Sequence, residues 1–275
     1  MKNQKFPIID SHCHIFPDKI AQKATDSIDI FYGISKTGII DGCGFLGTAK
    51  VLINQCDAVG VEKCLVTSVA TTPHHAHSIN TFIANEVTLH SNRFIGFGSL
   101  HPDSETLKED TEHLIELGLQ GVKLHPDIQN FKVDDPKVIK IFEICNQKRL
   151  PVLLHTGDSR YDNSNPDRVE KILRMFPDLI IIGAHFGGWS LWDSAPQILS
   201  KYKNFYVDTC SSFYALSKEK AREIINIYGT DRVIFGTDFP MWKQDEELKF
   251  LFDLGLSESE LKCILHDNLL KILEK

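Results

Sequence analysis

Short runs of apolar and β-branched residues recur along the chain at 6–11, 63–69, 93–100, 120–124, 151–154, 179–184, 204–208 and 232–237. Each is four to eight residues long, the length of a strand rather than of a helix. Between them the apolar positions change period. In 104–117 they fall at Leu107, Leu114, Ile115 and Leu117, and in 137–147 at Val138, Ile141, Phe142 and Cys145. Segments 169–176, 221–228 and 261–273 repeat that spacing, so helices are expected there too. Stop signals agree: Gly118 and Gly229 follow helical segments, and Pro151 opens a strand.

After the first, the strands begin 25–31 residues apart, room for one strand, one helix and two short loops. Strict alternation of this kind forces parallel strands joined by helical crossovers. The first interval, 57 residues, is about twice as long and must hold an insertion, expected at about 18–50 around the Gly-rich stretch 33–47. No linker divides the chain, so residues 1–275 are expected to form one domain. Alternation alone leaves a closed barrel and an open doubly wound sheet both standing.

Polar residues at the strand ends separate the two. His12 and His14, in Asp10-Ser11-His12-Cys13-His14, are two apart at the end of the first strand. On one strand face they can reach a single metal ion with bonds near ~2.0–2.1 Å, or they can be a hydrogen-bonded pair in a loop. Lys123 ends the fourth strand, His155 follows the fifth, His185 the sixth and Asp238 the eighth. In an open sheet with neighbours ~4.8 Å apart, first and eighth strands are too distant to share an ion. In an eight-stranded barrel they are neighbours, and every carboxyl end opens onto one mouth. The expected fold is therefore an α/β single (β/α)8 TIM barrel with an insertion after the first strand.

Charge and cysteine usage narrow the setting. With 30 Lys+Arg against 37 Asp+Glu the net charge is −7, which gives no basic face for nucleic acid. The longest apolar run, 179–184, is too short to cross a bilayer, so no membrane partner is expected. The first residues, MKNQKFPIIDSHCH, lack the pattern of a secretory signal. Seven cysteines, an odd number with no C-x-x-C pair, read as reduced thiols in a cytoplasmic protein.

The ordered set H-x-H, Lys, His, His and Asp resembles the amidohydrolase superfamily. Within it, the chain is similar to the amidohydrolase-related branch of small metal-dependent barrel hydrolases and non-oxidative decarboxylases of aromatic and unsaturated acids. The resemblance runs from Asp10-x-His12-x-His14 to the terminal His266-Asp267-Asn268. It implies that His12, His14 and Asp238 bind metal, and that His155 and His185 are a ligand and a ligand or catalytic group. Lys123 is where the family divides. In some of its hydrolases the corresponding lysine is carboxylated and bridges two metals, with His185 then a ligand; the decarboxylases generally use one metal and lack it. A packed lysine with no metal role is the other reading of Lys123.

The expected activity is metal-assisted hydrolysis of a small amide, lactone or related carbonyl compound. The cofactor would be one or two divalent ions, Zn2+ ahead of Mn2+ or others, lowering the pKa of bound water toward ~7. Asp238 would take that water's proton, and His185 would bind the second ion or the developing oxyanion. The alternative is decarboxylation of an aromatic or unsaturated carboxylic acid, with His185 protonating carbon. A third reading is a metal-binding barrel without catalysis. For substrate contacts the candidates are Arg160, which could pair with a carboxylate or lie exposed, and Trp189, which could wall the pocket or simply pack. Trp192, Met241 and Trp242 carry the same two readings, whereas His101 and His125 are expected to make structural hydrogen bonds. His74, His75 and His77 read as residues at a helix start, and His90, His113 and His266 as outward-facing. The partner expected is a small-molecule substrate, and the resemblance adds a homodimer.

Overall fold

In the computed structural model, which describes residues 6–32 and 46–274, the alternation becomes nine parallel strand segments with helices between them. The strands are β1 (Ile9–His14), β2 (Lys63–Thr67), β3 (Phe94–Gly96), β4 (Gly98–Ser99), β5 (Val122–Leu124), β6 (Val152–Leu154), β7 (Ile181–Gly183), β8 (Phe205–Asp208) and β9 (Val233–Ile234). The helices among the described residues are α1 (Asp18–Tyr32), α2 (Ala49–Val59), α3 (His75–Leu89), α4 (Leu107–Glu116), α5 (Pro126–Gln129), α6 (Pro136–Lys148), α7 (Pro166–Met175), α8 (Ala195–Leu199), α9 (Lys218–Tyr228), α10 (Gln244–Phe252), α11 (Glu258–Lys262) and α12 (Asn268–Leu273).

β3 and β4 are the single strand expected at 93–100, interrupted at Phe97. The Phe97 N–H bonds the Val66 carbonyl at 3.0 Å and the Gly98 N–H bonds the Gly121 carbonyl at 2.9 Å, so this strand joins β2 to β5. At the other seam Ser11 N–H donates to the Phe235 carbonyl (2.8 Å), His14 N–H to Phe239 (2.7 Å), and Asp238 N–H returns to His12 (2.8 Å). First and last strands are thus hydrogen-bonded neighbours, and the fold is a TIM barrel.

Two apolar layers hold it. Alternate strand residues such as Leu65, Phe97, Leu153 and Ile182 fill the barrel, and Leu269 and Ile272 of α12 join them beside Ile9 and Ile234 at its amino end. The opposite strand faces, among them Val66, Val122, Val152 and Val207, pack on Leu52, Ile83, Leu114, Ile141 and Ile224 from the surrounding helices.

Two expectations are corrected by this packing. β1 lies at Ile9–His14 rather than 6–11, with its register shifted between Asp10 and Cys13, so the polar Ser-His-Cys-His stretch is strand and wholly buried. The helix expected over 261–273 is α11, a π-helical turn at Cys263–Asp267 and α12. The wider turn frees the Ile264 carbonyl to accept the Phe235 N–H of the last barrel strand at 2.9 Å. The insertion at about 18–50 begins as α1, over the barrel mouth; its residues 33–45 lie outside the described residues. The six described cysteines are free thiols, and Cys43 lies outside the described residues. No helix among the described residues is long and apolar enough to cross a membrane.

Candidate metal centre

β1 presents His12 and His14 on one face at its carboxyl end. Their Nε2 atoms lie 3.1 Å apart, and Asp238 Oδ1 is 3.5 Å from the first and 3.4 Å from the second. Ligands of one ion with bonds of about 2.1 Å stand roughly 3.0–3.4 Å from one another, the edges of an octahedron or tetrahedron. The triangle has the size of a metal site. Gly236 permits it, since a Cβ there would meet His12 Cβ at 2.9 Å.

The triangle is braced from behind. Asp208, at the end of β8, accepts His12 Nδ1–H at 2.7 Å through Oδ2, and through Oδ1 the backbone N–H of His185 (2.8 Å) and Cys210 (3.2 Å). With Nδ1 carrying the proton, His12 turns the Nε2 lone pair into the triangle. Asp238 is held through its other oxygen: Ser211 Oγ–H donates to Oδ2 at 2.6 Å, and Trp242 Nε1–H donates to Ser211 Oγ at 2.8 Å. Lys123 is buried at the same floor, its Nζ 2.9 Å from His12 Nε2.

His155 and His185 form a second pair beside it. His185 Nε2 is 2.8 Å from His155 Nδ1, while His185 Nδ1–H donates to the Cys210 carbonyl at 3.1 Å. His155 stacks on His125 at 4.0 Å, and its Nε2 faces Asp127 Oδ2 at 3.3 Å. His185, Phe186, Ser211 and Asp238 all have φ between 46° and 61°. Left-handed backbone costs a non-glycine residue about 1–3 kcal/mol, so strain is concentrated around the site.

Burial lowers the pKa of His14 to about 4 and of His185 to about 3. It also lowers Lys123, against the pull of Asp238, Cys210 and Asp208. Burial pushes Asp238 upward, but His12, His14 and His185 outweigh it and hold the carboxyl well below its usual range. Neutral imidazoles beside an ionised carboxylate are the protonation state that metal ligands require.

The triangle opens on a cavity of about 600 Å3, with His14, Lys123, His155, His185 and Asp238 among its lining. The structure thus brings His12, His14, Lys123 and Asp238 together and sets the His155–His185 pair on the same floor. Arg160 is engaged elsewhere: Nε and Nη2 bind buried Asp158 at 3.0 and 2.7 Å, and Nη1 donates to the Phe31 carbonyl at 2.8 Å. Trp189 packs against that guanidinium and against Tyr32. Trp192 fixes the His185 carbonyl through Nε1–H at 3.1 Å, and Met241 lines the cavity. His125 accepts the Ile128 N–H at Nδ1 and meets Tyr32 Oη at Nε2. His101 accepts the Asp103 N–H, and His75 reaches the cavity mouth. Sequence reasoning passed over Asp208, Ser211 and Asp127. Asp208 had a signal of the same kind as Asp238, an acid at a strand's carboxyl end.

Fold and site together define a metal-dependent barrel enzyme with a divalent-metal centre. The amidohydrolase family model matches residues 9–274, and the chain belongs to that family. A 2-amino-3-carboxymuconate-6-semialdehyde decarboxylase from Dictyostelium discoideum is 24% identical over 210 residues, 60% of this chain and 56% of that protein. The match thus spans little more than half of the relative's length. Among solved structures, an uncharacterised TIM-barrel protein from Bordetella bronchiseptica superposes with a TM-score of 0.80 at 20% identity, covering 98% of this chain and 99% of that one. A dihydroxybenzoic acid decarboxylase from a Polaromonas species, with manganese and 2-nitroresorcinol bound, gives a TM-score of 0.72 at 17% identity, covering 98% and 97%.

These relatives correct the expected reaction. Hydrolysis of an amide or lactone was the first reading, whereas the two of these relatives with a named activity are decarboxylases. One ligand set serves both reactions, and Lys123 as a metal-bridging carbamate was the feature that favoured hydrolysis.

Proposed function

We propose that the protein is a metal-dependent decarboxylase that removes carbon dioxide from an aromatic or unsaturated carboxylic acid. The observation that carries this reading is the His12–His14–Asp238 triangle, with one buried lysine, Lys123, beside it at the floor of a largely apolar cavity. His12, His14 and Asp238 would hold a single divalent ion, manganese or zinc, with His155 on the same floor. The bound ion supplies positive charge that steadies a carboxylate and a neighbouring oxygen.

The chain's own groups do the rest. Lys123 holds the acid's carboxylate by a charge-assisted hydrogen bond, and the apolar walls exclude water from the reacting carbon. His185 lines the cavity with its ring fixed by the Cys210 carbonyl and its Nε2 2.8 Å from His155 Nδ1, and it would carry a proton at Nε2 once the negatively charged acid is bound beside it. As the bond between carbon and carboxylate breaks, its electron pair stays on the carbon and takes the His185 proton, and carbon dioxide leaves. His185 then regains a proton from solvent.

Carbon dioxide release from a panel of ortho-hydroxybenzoic and dienoic acids, with Mn2+- or Zn2+-loaded protein, tests the reading. His185→Asn suits the left-handed backbone at that position and should lower turnover at least 100-fold while one metal ion per chain is retained. A metal-loaded protein that releases no carbon dioxide from any of these acids would end the proposal.

A further inference from the structure

The walls of the cavity differ in kind from its floor. Phe16, Ile28, Phe31, Ile79, Phe82 and Met241, from β1's exit, α1, α3 and the loop after Asp238, present apolar surface between the floor and solvent. Among the described lining residues the one Lys or Arg is Lys123, and it lies at the floor. The nearby arginine supplies no second positive charge. Arg160 is neutralised by buried Asp158, and its guanidinium carbon sits 5.2–5.6 Å from the ring centres of Phe31, Tyr32, Tyr161 and Trp189. That arrangement ties the end of α1 to the loop after β6 and leaves the guanidinium committed.

We propose that the cavity selects acids with one carboxylate and a bulky apolar body, seated head-first at the floor, and rejects acids with a second carboxylate on that body. This rests on the decarboxylase reading for the seating of the head. A second carboxylate would leave water for an apolar wall whose described residues offer no lysine or arginine to meet it, and a buried charge without a partner is disfavoured. An apolar ring at the same place fills the space between α1 and α3 instead. The cavity volume of about 600 Å3 accommodates a two-ring acid.

The test compares 2-hydroxybenzoate with its 5-phenyl and 5-carboxy derivatives on the Mn2+-loaded protein. Binding is read by calorimetry and, separately, carbon dioxide release. The 5-phenyl acid should bind at least ten-fold tighter than the parent, and the diacid at least ten-fold weaker. Ser78, exposed at the cavity's solvent edge, allows a gain-of-charge variant. Ser78→Arg should tighten the diacid at least ten-fold and leave the phenyl acid nearly unchanged. A diacid that binds wild type as tightly as the phenyl acid overturns the proposal, and so does a diacid affinity unmoved by Ser78→Arg. The predicted binding order without carbon dioxide release overturns the reaction and leaves the selectivity standing.

Discussion

The two ends of the barrel are built on opposite principles. At the amino end Leu269 and Ile272 close onto Ile9, Ile180 and Ile234, a contact with no charge to desolvate. At the carboxyl end the barrel buries imidazoles, carboxylates and a lysine within hydrogen-bond distance, on backbone held at positive φ. One end contributes stability, and the other uses part of it to hold ligands in place. Shortening the plug should therefore weaken the fold and spare the site. Leu269→Ala is expected to cost about 2–5 kcal/mol of unfolding free energy, the range for a buried leucine. Urea unfolding would measure it, alongside a metal titration of the folded variant. A variant that loses metal affinity in step with stability would break the distinction between the two ends.

The carboxyl end should respond in the opposite sense. Asp208 touches no cavity surface, yet it links His12 on β1 to the backbone of His185 and Cys210. Asp208→Asn keeps the shape but offers an amide where His12 needs an acceptor, and the imidazole loses its fixed tautomer. Metal affinity should fall about 10–100-fold, or roughly 1.4–2.7 kcal/mol, with a smaller change in unfolding free energy. Competition with a chelator of known affinity reads the first quantity and urea the second. Unchanged affinity would make Asp208 a support for the strand and nothing more.

The same contrast decides what the sequence reveals. Barrel strands and their spacing were legible because apolar runs and helical period report burial directly. His155, His185 and Asp238 stood out because each follows such a run without a gap. β1 was misplaced by three residues because the polar His-Cys-His reads as a strand end until the seam with 235–239 makes it strand. The π turn was hidden because Leu261, Ile264, Leu265 and Leu269 keep helical spacing through it. Asp208 was hidden because an acid at a strand end is also an ordinary loop residue. The cavity walls come from segments near residues 16, 28, 79 and 241, and nothing local marks them as one surface. The reaction was misread for a chemical reason: hydrolysis and decarboxylation ask for the same nitrogen and oxygen ligands.

A buried acid outside the centre gives the finest test of what the carboxyl end gives up. Glu247 of α10 is 4% exposed, and its Oε2 has no hydrogen-bond partner among the described residues. Burial, with the charges of Asp10, Glu246 and Asp238, raises its pKa well above the ordinary carboxyl value of 4.5. In the folded protein Glu247 keeps a proton that the unfolded chain releases above that value. Stability must then fall as pH rises from about 4.5 toward the raised folded pKa. Glu247→Gln is neutral in both states and removes this slope. Near pH 4.5 the variant and wild type should melt within a degree or so of each other. By pH 8 the variant should melt higher than wild type by a gap that widens with pH, each unit by which the folded pKa is raised being worth about 1.4 kcal/mol. Thermal unfolding at several pH values checks it. A constant gap across that range would mean that Glu247 is ionised in the folded protein, with a partner for its charge.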